Sequence, residues 1–127
     1  MVTRSAAALL AATLLLPAPA LALPSPRDRM LVSPAWLKAH LADKNLVLFQ
    51  IGERAEFDRE HIPGARFLEL RAISDRSANG LALELPPVAR LDSSLAALGV
   101  RSDSRVILYF GSDWLSPTTR AWLTFEY

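Results

Sequence analysis

The 127-residue chain contains no cysteine. That absence removes disulfides, thiolate metal ligands and any thiol nucleophile of the chain's own. Histidine is scarce as well. Only His40 and His61 occur, in separate segments, and a metal centre needs clustered ligands. No metal and no cofactor is therefore expected. An excess of one charge is also missing. The 14 Lys and Arg against 13 Asp and Glu leave a formal net charge of +1. Without a basic stretch to neutralise phosphates, nucleic acid is not an expected partner. No segment repeats, and none is of low complexity.

Charge is absent from Ser5 to Ser25, and Arg4 is the only charged residue before it. A basic start, a small apolar run from Ser5 to Leu16, and an Ala20-Leu21-Ala22 cleavage pattern make residues 1–22 a secretory signal peptide. The competing reading is a membrane anchor. Pro17, Pro19 and Pro24 crowd the second half of the run and favour cleavage. The sequence thus predicts an exported protein, periplasmic in a Gram-negative bacterium, with no membrane contact once the signal is removed. Removing it leaves equal numbers of acidic and basic side chains. Residues 23–30 read as a Pro-rich linker, and a single domain is expected over 31–127.

Within that domain, apolar runs alternate with helical patterns. Ser33-Pro34 is an N-cap followed by proline at the first helical position, ahead of Trp36, Leu37, His40 and Leu41. Leu46 to Ile51 (LVLFQI) is a nearly continuous apolar run, the pattern of a parallel strand buried on both faces. Gly52 to Glu60 is charged and suits a helix. His61-Ile62-Pro63-Gly64 suits a type II turn, and Ala65 to Leu70 is a second strand candidate. Ser74 to Gly80 reads as a polar loop. Pro86-Pro87 precedes a helix carrying Val88, Leu91, Leu95 and Leu98, with Gly99 to close it. Arg101 to Ser104 turns into a strand from Val106 to Phe110. Ser116-Pro117 opens a last helix, with Ser116 as its cap and Trp122 and Phe125 as core contacts. The alternation predicts an α/β fold with a central parallel sheet flanked by helices. No cap, glycine or strand follows the last helix, so the domain is expected to be incomplete at its C-terminus.

The loop between the strand and that last helix, Gly111-Ser112-Asp113-Trp114, has the layout of a ligand site. Its backbone N–H groups suit a small anion. Ser112 needs a base to act as a nucleophile. Asp113 reads as a solvated carboxylate, and Trp114 either lines a cleft or covers the core. His61 reads as a structural hydrogen-bonding residue before a Pro-Gly turn.

FDREHIPGARFLEL, preceded by LVLFQIGERAEF, resembles the rhodanese family of sulfurtransferases. The segment from Gly80 to Tyr127 extends the likeness. Its ALG, VILYF and Trp-containing final helix are similar to the first half of a tandem-domain thiosulfate or mercaptopyruvate sulfurtransferase. The resemblance makes His61, Pro63, Gly64 and Ala65 the family motif. It departs from the family at Gln50 and Gly52, where Asp and Arg are usual, at Phe57 for a common Tyr, and at Glu60 for the Gly before His. It also implies a catalytic Cys directly after the strand, and Phe110 stands there. Arg120 matches an Arg on the family's last helix; read on its own, it is a surface cation.

What the resemblance implies is a rhodanese-like domain that is inactive alone, with a separately encoded C-terminal rhodanese domain as a possible partner. A non-enzymatic binding module and a truncated remnant are the rival readings.

Overall fold

The computed structural model describes residues 25, 27, 30–76, 78–112 and 114–127. The signal segment 1–22, most of the linker and Asp113 therefore lie outside the described residues. The chain separates into two units, Met1–Val32 and Ser33–Tyr127. Among the described residues of the first, the Leu31 N–H donates to the Arg27 carbonyl at 2.9 Å. Everything below concerns the second. No helix among the described residues is long and apolar enough to cross a membrane.

The first helix, α1 (Pro34–His40), begins as its sequence dictates. The Ser33 hydroxyl accepts the Trp36 N–H at 3.1 Å, and Pro34 occupies a position that needs no donor. His40 stacks on Trp36 with ring centroids 3.9 Å apart. Its Nδ1 donates to the Trp36 carbonyl at 2.7 Å.

Strand β1 (Leu46–Ile51) has five successive buried residues, Val47 to Ile51. It is buried on both faces, as a parallel strand in mid-sheet must be. Helix α2 (Arg54–Arg59) returns the chain to β2 (Arg66–Phe67), which pairs in parallel with β1 through Phe49–Arg66 and Gln50–Phe67. This strand is shorter than the expected Ala65 to Leu70. Leu68 still donates to the Gln50 carbonyl at 2.9 Å, but a 3₁₀ turn over Leu70–Ile73 then bends the chain away. The bend is what seats Leu68 and Ile73 in the core, at 1% and 0% exposure.

The expected polar loop at Ser74 to Gly80 is instead half of a small antiparallel hairpin, β3 (Asp75–Arg76) with β4 (Ala82–Glu84). Its strands are too short and irregular to leave an alternating signature. Arg90 and Arg120 hold it from outside. Arg90 pairs with Asp75 at 2.5 Å, lowering the Asp75 pKa mainly through that hydrogen bond. Arg90 also donates to the Ser74 carbonyl at 3.3 Å. Arg120 donates through Nε at 3.0 Å and Nη2 at 2.6 Å to the carbonyl of Leu83. Leu83 has φ +63°, a left-handed conformation that costs a side-chain-bearing residue about 1–2 kcal/mol. The Arg120 fork meets that strained residue, and its Nη1 also reaches the Thr124 hydroxyl.

Helix α3 (Val88–Ala97) ends where Gly99 was expected to end it. Gly99 has φ +80°, its N–H donates to the Ala96 carbonyl, and Val100 N–H reaches the Leu95 carbonyl, both at 2.9 Å. That is a Schellman closure. Leu91 is buried, and Leu95 and Leu98 pack on the core, whereas Val88 is exposed. Strand β5 (Arg105–Phe110) joins β1 in parallel over six residue pairs, Leu46–Arg105 through Ile51–Phe110.

Helix α4 (Leu115–Glu126) starts before the expected Ser116-Pro117. Trp114 stands in the cap position without a side-chain cap, so Ser116 is not the cap. Pro117 still falls in the first turn, where no N–H is needed. The face with Thr118, Ala121 and Thr124 is buried. Phe125 stacks on Phe49 at 6.0 Å and packs on the core as expected, whereas Trp122 is half-buried and does not belong to that cluster.

Arg120 is thus a structural clamp on the hairpin. Arg120→Ala should lower unfolding free energy by about 1–2 kcal/mol, because the Leu83 carbonyl loses a charged two-pronged donor. In a thermal melt this is a fall of roughly 5–15 °C for a domain of this size. Arg120→Lys should recover only part of it, since an ammonium cannot reproduce the two-pronged contact.

Candidate functional site

The central sheet runs β2-β1-β5. From β1 the chain steps to one neighbour through α2, and much later fills the other side with β5. The strand order therefore reverses between β1 and β5, and ligand crevices of open parallel sheets lie outside the carboxyl ends of the strands at such a point. Gly52 follows β1 there and Gly111 follows β5. Two clefts open at this end of the sheet.

The larger, of about 490 Å³, is lined among others by Gln50, Glu56, His61, Tyr109, Gly111 and Ser112. It brings the His61-Ile62-Pro63 segment and the Gly111-Ser112 loop to one place, though they are far apart in sequence. The smaller, of about 280 Å³, includes Ile51, Gly52, Phe67, Leu68 and Trp114 in its wall. Trp114 also packs against the core, so it both covers the core and lines a cleft.

A polar relay binds the floor of the larger cleft together. The Tyr109 hydroxyl donates to Gln50 Oε1 at 2.7 Å and accepts the Ile62 N–H at 3.1 Å. Gln50 is 4% exposed in an otherwise apolar strand. Its amide oxygen needs a donor, and Tyr109 supplies it. Burial pushes the Tyr109 pKa above its ordinary value near 10, with the Ile62 N–H pulling the other way.

The turn beyond takes the expected form. Ala65 N–H donates to the Ile62 carbonyl at 2.9 Å, and Gly64 at the third position has φ +82°. That is the left-handed residue a type II turn requires. His61 stacks on Phe57 at 4.1 Å, and its Nδ1 donates to the Phe57 carbonyl at 2.8 Å. It has a structural partner, as its sequence context suggested. Among the described residues no group of three or more His, Asp or Glu side chains could hold a metal.

The other side of the mouth holds a contact that sequence reasoning missed. The Ser112 hydroxyl donates to Glu56 Oε1 at 3.1 Å. The second oxygen, Oε2, lies 2.6 Å from where a Cβ on Gly111 would stand, and 3.9 Å from one on Gly52. Gly111 must therefore lack a side chain for Glu56 to sit as it does. Ser112 now has a carboxylate partner, but a carboxylate is far too weak a base to make an aliphatic hydroxyl nucleophilic by itself. Phe110, the last residue of β5, pairs with Ile51 and is 40% exposed.

The sequence profile of the rhodanese-like domain matches residues 33–127. The chain belongs to the rhodanese-like family. It is 30% identical to thiosulfate/3-mercaptopyruvate sulfurtransferase 2 of Arabidopsis thaliana over 112 residues, covering 81% of this chain and 32% of that protein. To the 3-mercaptopyruvate sulfurtransferase of Rattus norvegicus it is 32% identical, over 77% of this chain and 37% of that one. To the thiosulfate sulfurtransferase of Azotobacter vinelandii it is 32% identical, over 63% and 29%. The chain thus spans about a third of the length of these curated relatives. The fold is the rhodanese-like α/β arrangement, a central parallel sheet flanked by helices.

In this rhodanese-like domain the Tyr109 hydroxyl ties both long strands to the turn. Tyr109→Phe should lower unfolding free energy by about 1–3 kcal/mol in denaturant titrations, since the Gln50 oxygen and the Ile62 N–H both lose a partner. The pH dependence has a definite sign. A raised folded-state pKa means the unfolded chain releases the phenolic proton first, so stability falls as pH rises above about 10. In Tyr109→Phe that fall should be shallower; an unchanged slope would show that Tyr109 carries none of it.

Proposed function

We propose that this chain is a scaffold-type half of a sulfurtransferase and transfers no sulfur by itself. One observation carries the reading: the chain has no cysteine at all, and Phe110 stands at the end of β5, where the family resemblance expects the nucleophile. Sulfur transfer through a persulfide needs a soft thiolate that attacks the donor and then gives up the outer sulfur. A phenyl ring has no lone pair to attack with and no proton to lose. The Ser112 hydroxyl is hard, and the Glu56 carboxylate to which it donates is a weak base.

The partner that fits this role is a separately encoded rhodanese domain bearing the cysteine, with thiosulfate or 3-mercaptopyruvate as donor. The names of the curated relatives and their greater length support that reading. The layout of residues 1–22 supports export, to the periplasm in a Gram-negative host. Protein recovered from such a compartment should begin at Leu23 on N-terminal sequencing; an intact Met1 would favour the anchor instead.

The purified chain should transfer sulfur from thiosulfate to cyanide no faster than its Phe110→Ala variant. Turnover well above that control would defeat the proposal. Addition of a cysteine-bearing rhodanese domain should be required for any thiocyanate to form.

A further inference from the structure

The Gly111-Ser112 loop leads into a 12-residue helix, and its backbone was expected to favour a small anion. The side chains around it point the other way. Glu56 spans the mouth between the ends of β1 and β5, one oxygen on the Ser112 hydroxyl and the other against Gly111. Glu60 adds a second carboxylate to the lining, against a single guanidinium, Arg59, and the ring of His61. Among the described residues, the side chains that β1, β5 and the loop add to the lining are uncharged: Gln50, Tyr109 and Ser112. Arg54, the other cation of α2, is turned to Asp58 at 3.0 Å and to the rings of Phe57 and Phe67.

We propose that Glu56 is the charge selector of this cleft: its carboxylate, held over Gly111 and Ser112, makes the mouth refuse anions and admit neutral or cationic groups. Glu56 is itself half-buried, so its carboxylate acts through less water than a fully exposed charge would, and its reach over an entering group is greater. The inference uses neither Phe110 nor the sulfurtransferase reading, and its test measures no sulfur transfer, so either can fail without the other.

The absence of native thiols gives a clean reporter. Ser112→Cys in the full chain places a thiol directly against Glu56. Alkylation by iodoacetate and by iodoacetamide follows the same course: the thiolate forms a sulfur–carbon bond and iodide leaves. The ratio of the two rates cancels the thiol's own ionisation and reads local charge. Adding Glu56→Gln should raise the iodoacetate-to-iodoacetamide ratio by about three- to tenfold, the effect of removing one nearby unit charge. Glu60→Gln in the same background should change it by less than about twofold. An unchanged ratio on Glu56→Gln, or an equal rise on Glu60→Gln, overturns the proposal. Should Glu56→Gln not fold, the Ser112→Cys chain alone decides by salt. Screening a local carboxylate raises the ratio as salt increases, whereas screening the chain's net charge of +1 lowers it. A flat or falling ratio counts against Glu56.

Discussion

One buried amide oxygen sets the terms for this end of the molecule. Gln50 is the penultimate residue of β1, flanked by the fully buried Phe49 and Ile51, and is itself 4% exposed. Its oxygen needs a donor, and Tyr109 alongside supplies it. That fixes β5 against β1 in a single register, because a one-residue slip would carry the hydroxyl to the opposite face. The same hydroxyl accepts the Ile62 N–H, so the turn after α2 is placed by the strand pairing. The neutral pair also avoids an ionised group in the sheet. A carboxylate at position 50, as the family usually has, would need a compensating cation, and Gly52 brings none.

Around that relay the mouth of the cleft is built from small and polar parts. Gly64 supplies the left-handed turn residue, and Gly111 leaves room for the Glu56 carboxylate. The helices contribute through their ends: α2 brings Glu56 and hands the chain to His61, and α4 starts just past the loop. Aromatic stacking of His61 on Phe57 stiffens the junction without making the imidazole a ligand.

What could be seen in the sequence is what local patterns encode. The unbroken apolar run marked β1 as a central strand, Ser33-Pro34 marked the start of α1, Gly99 marked the end of α3, and Pro63-Gly64 marked the turn. These depend on residues a few positions apart. The features that escaped depend on residues far apart in sequence. Nothing local pairs Tyr109 with Gln50, Ser112 with Glu56, or Arg120 with Leu83. The hairpin of β3 and β4 has too few residues for any periodicity, and its strained Leu83 makes sense only with the α4 guanidinium beside it. At α4 the Ser116-Pro117 signal was real but misplaced by its neighbours: Leu115 joins the helix because Trp114, packed on the core, fixes where it begins.

The pairing of β1 with β5 also governs how the molecule comes into being. The Gln50 and Tyr109 side chains are 59 positions apart, so the central strand waits for nearly half of the chain's length before its principal neighbour exists. Until then its apolar run has only the two-residue β2 for company and remains a sticky, unpaired edge. Parallel pairing over such separations pays its loop entropy before any reward, which makes assembly of this sheet intrinsically slow.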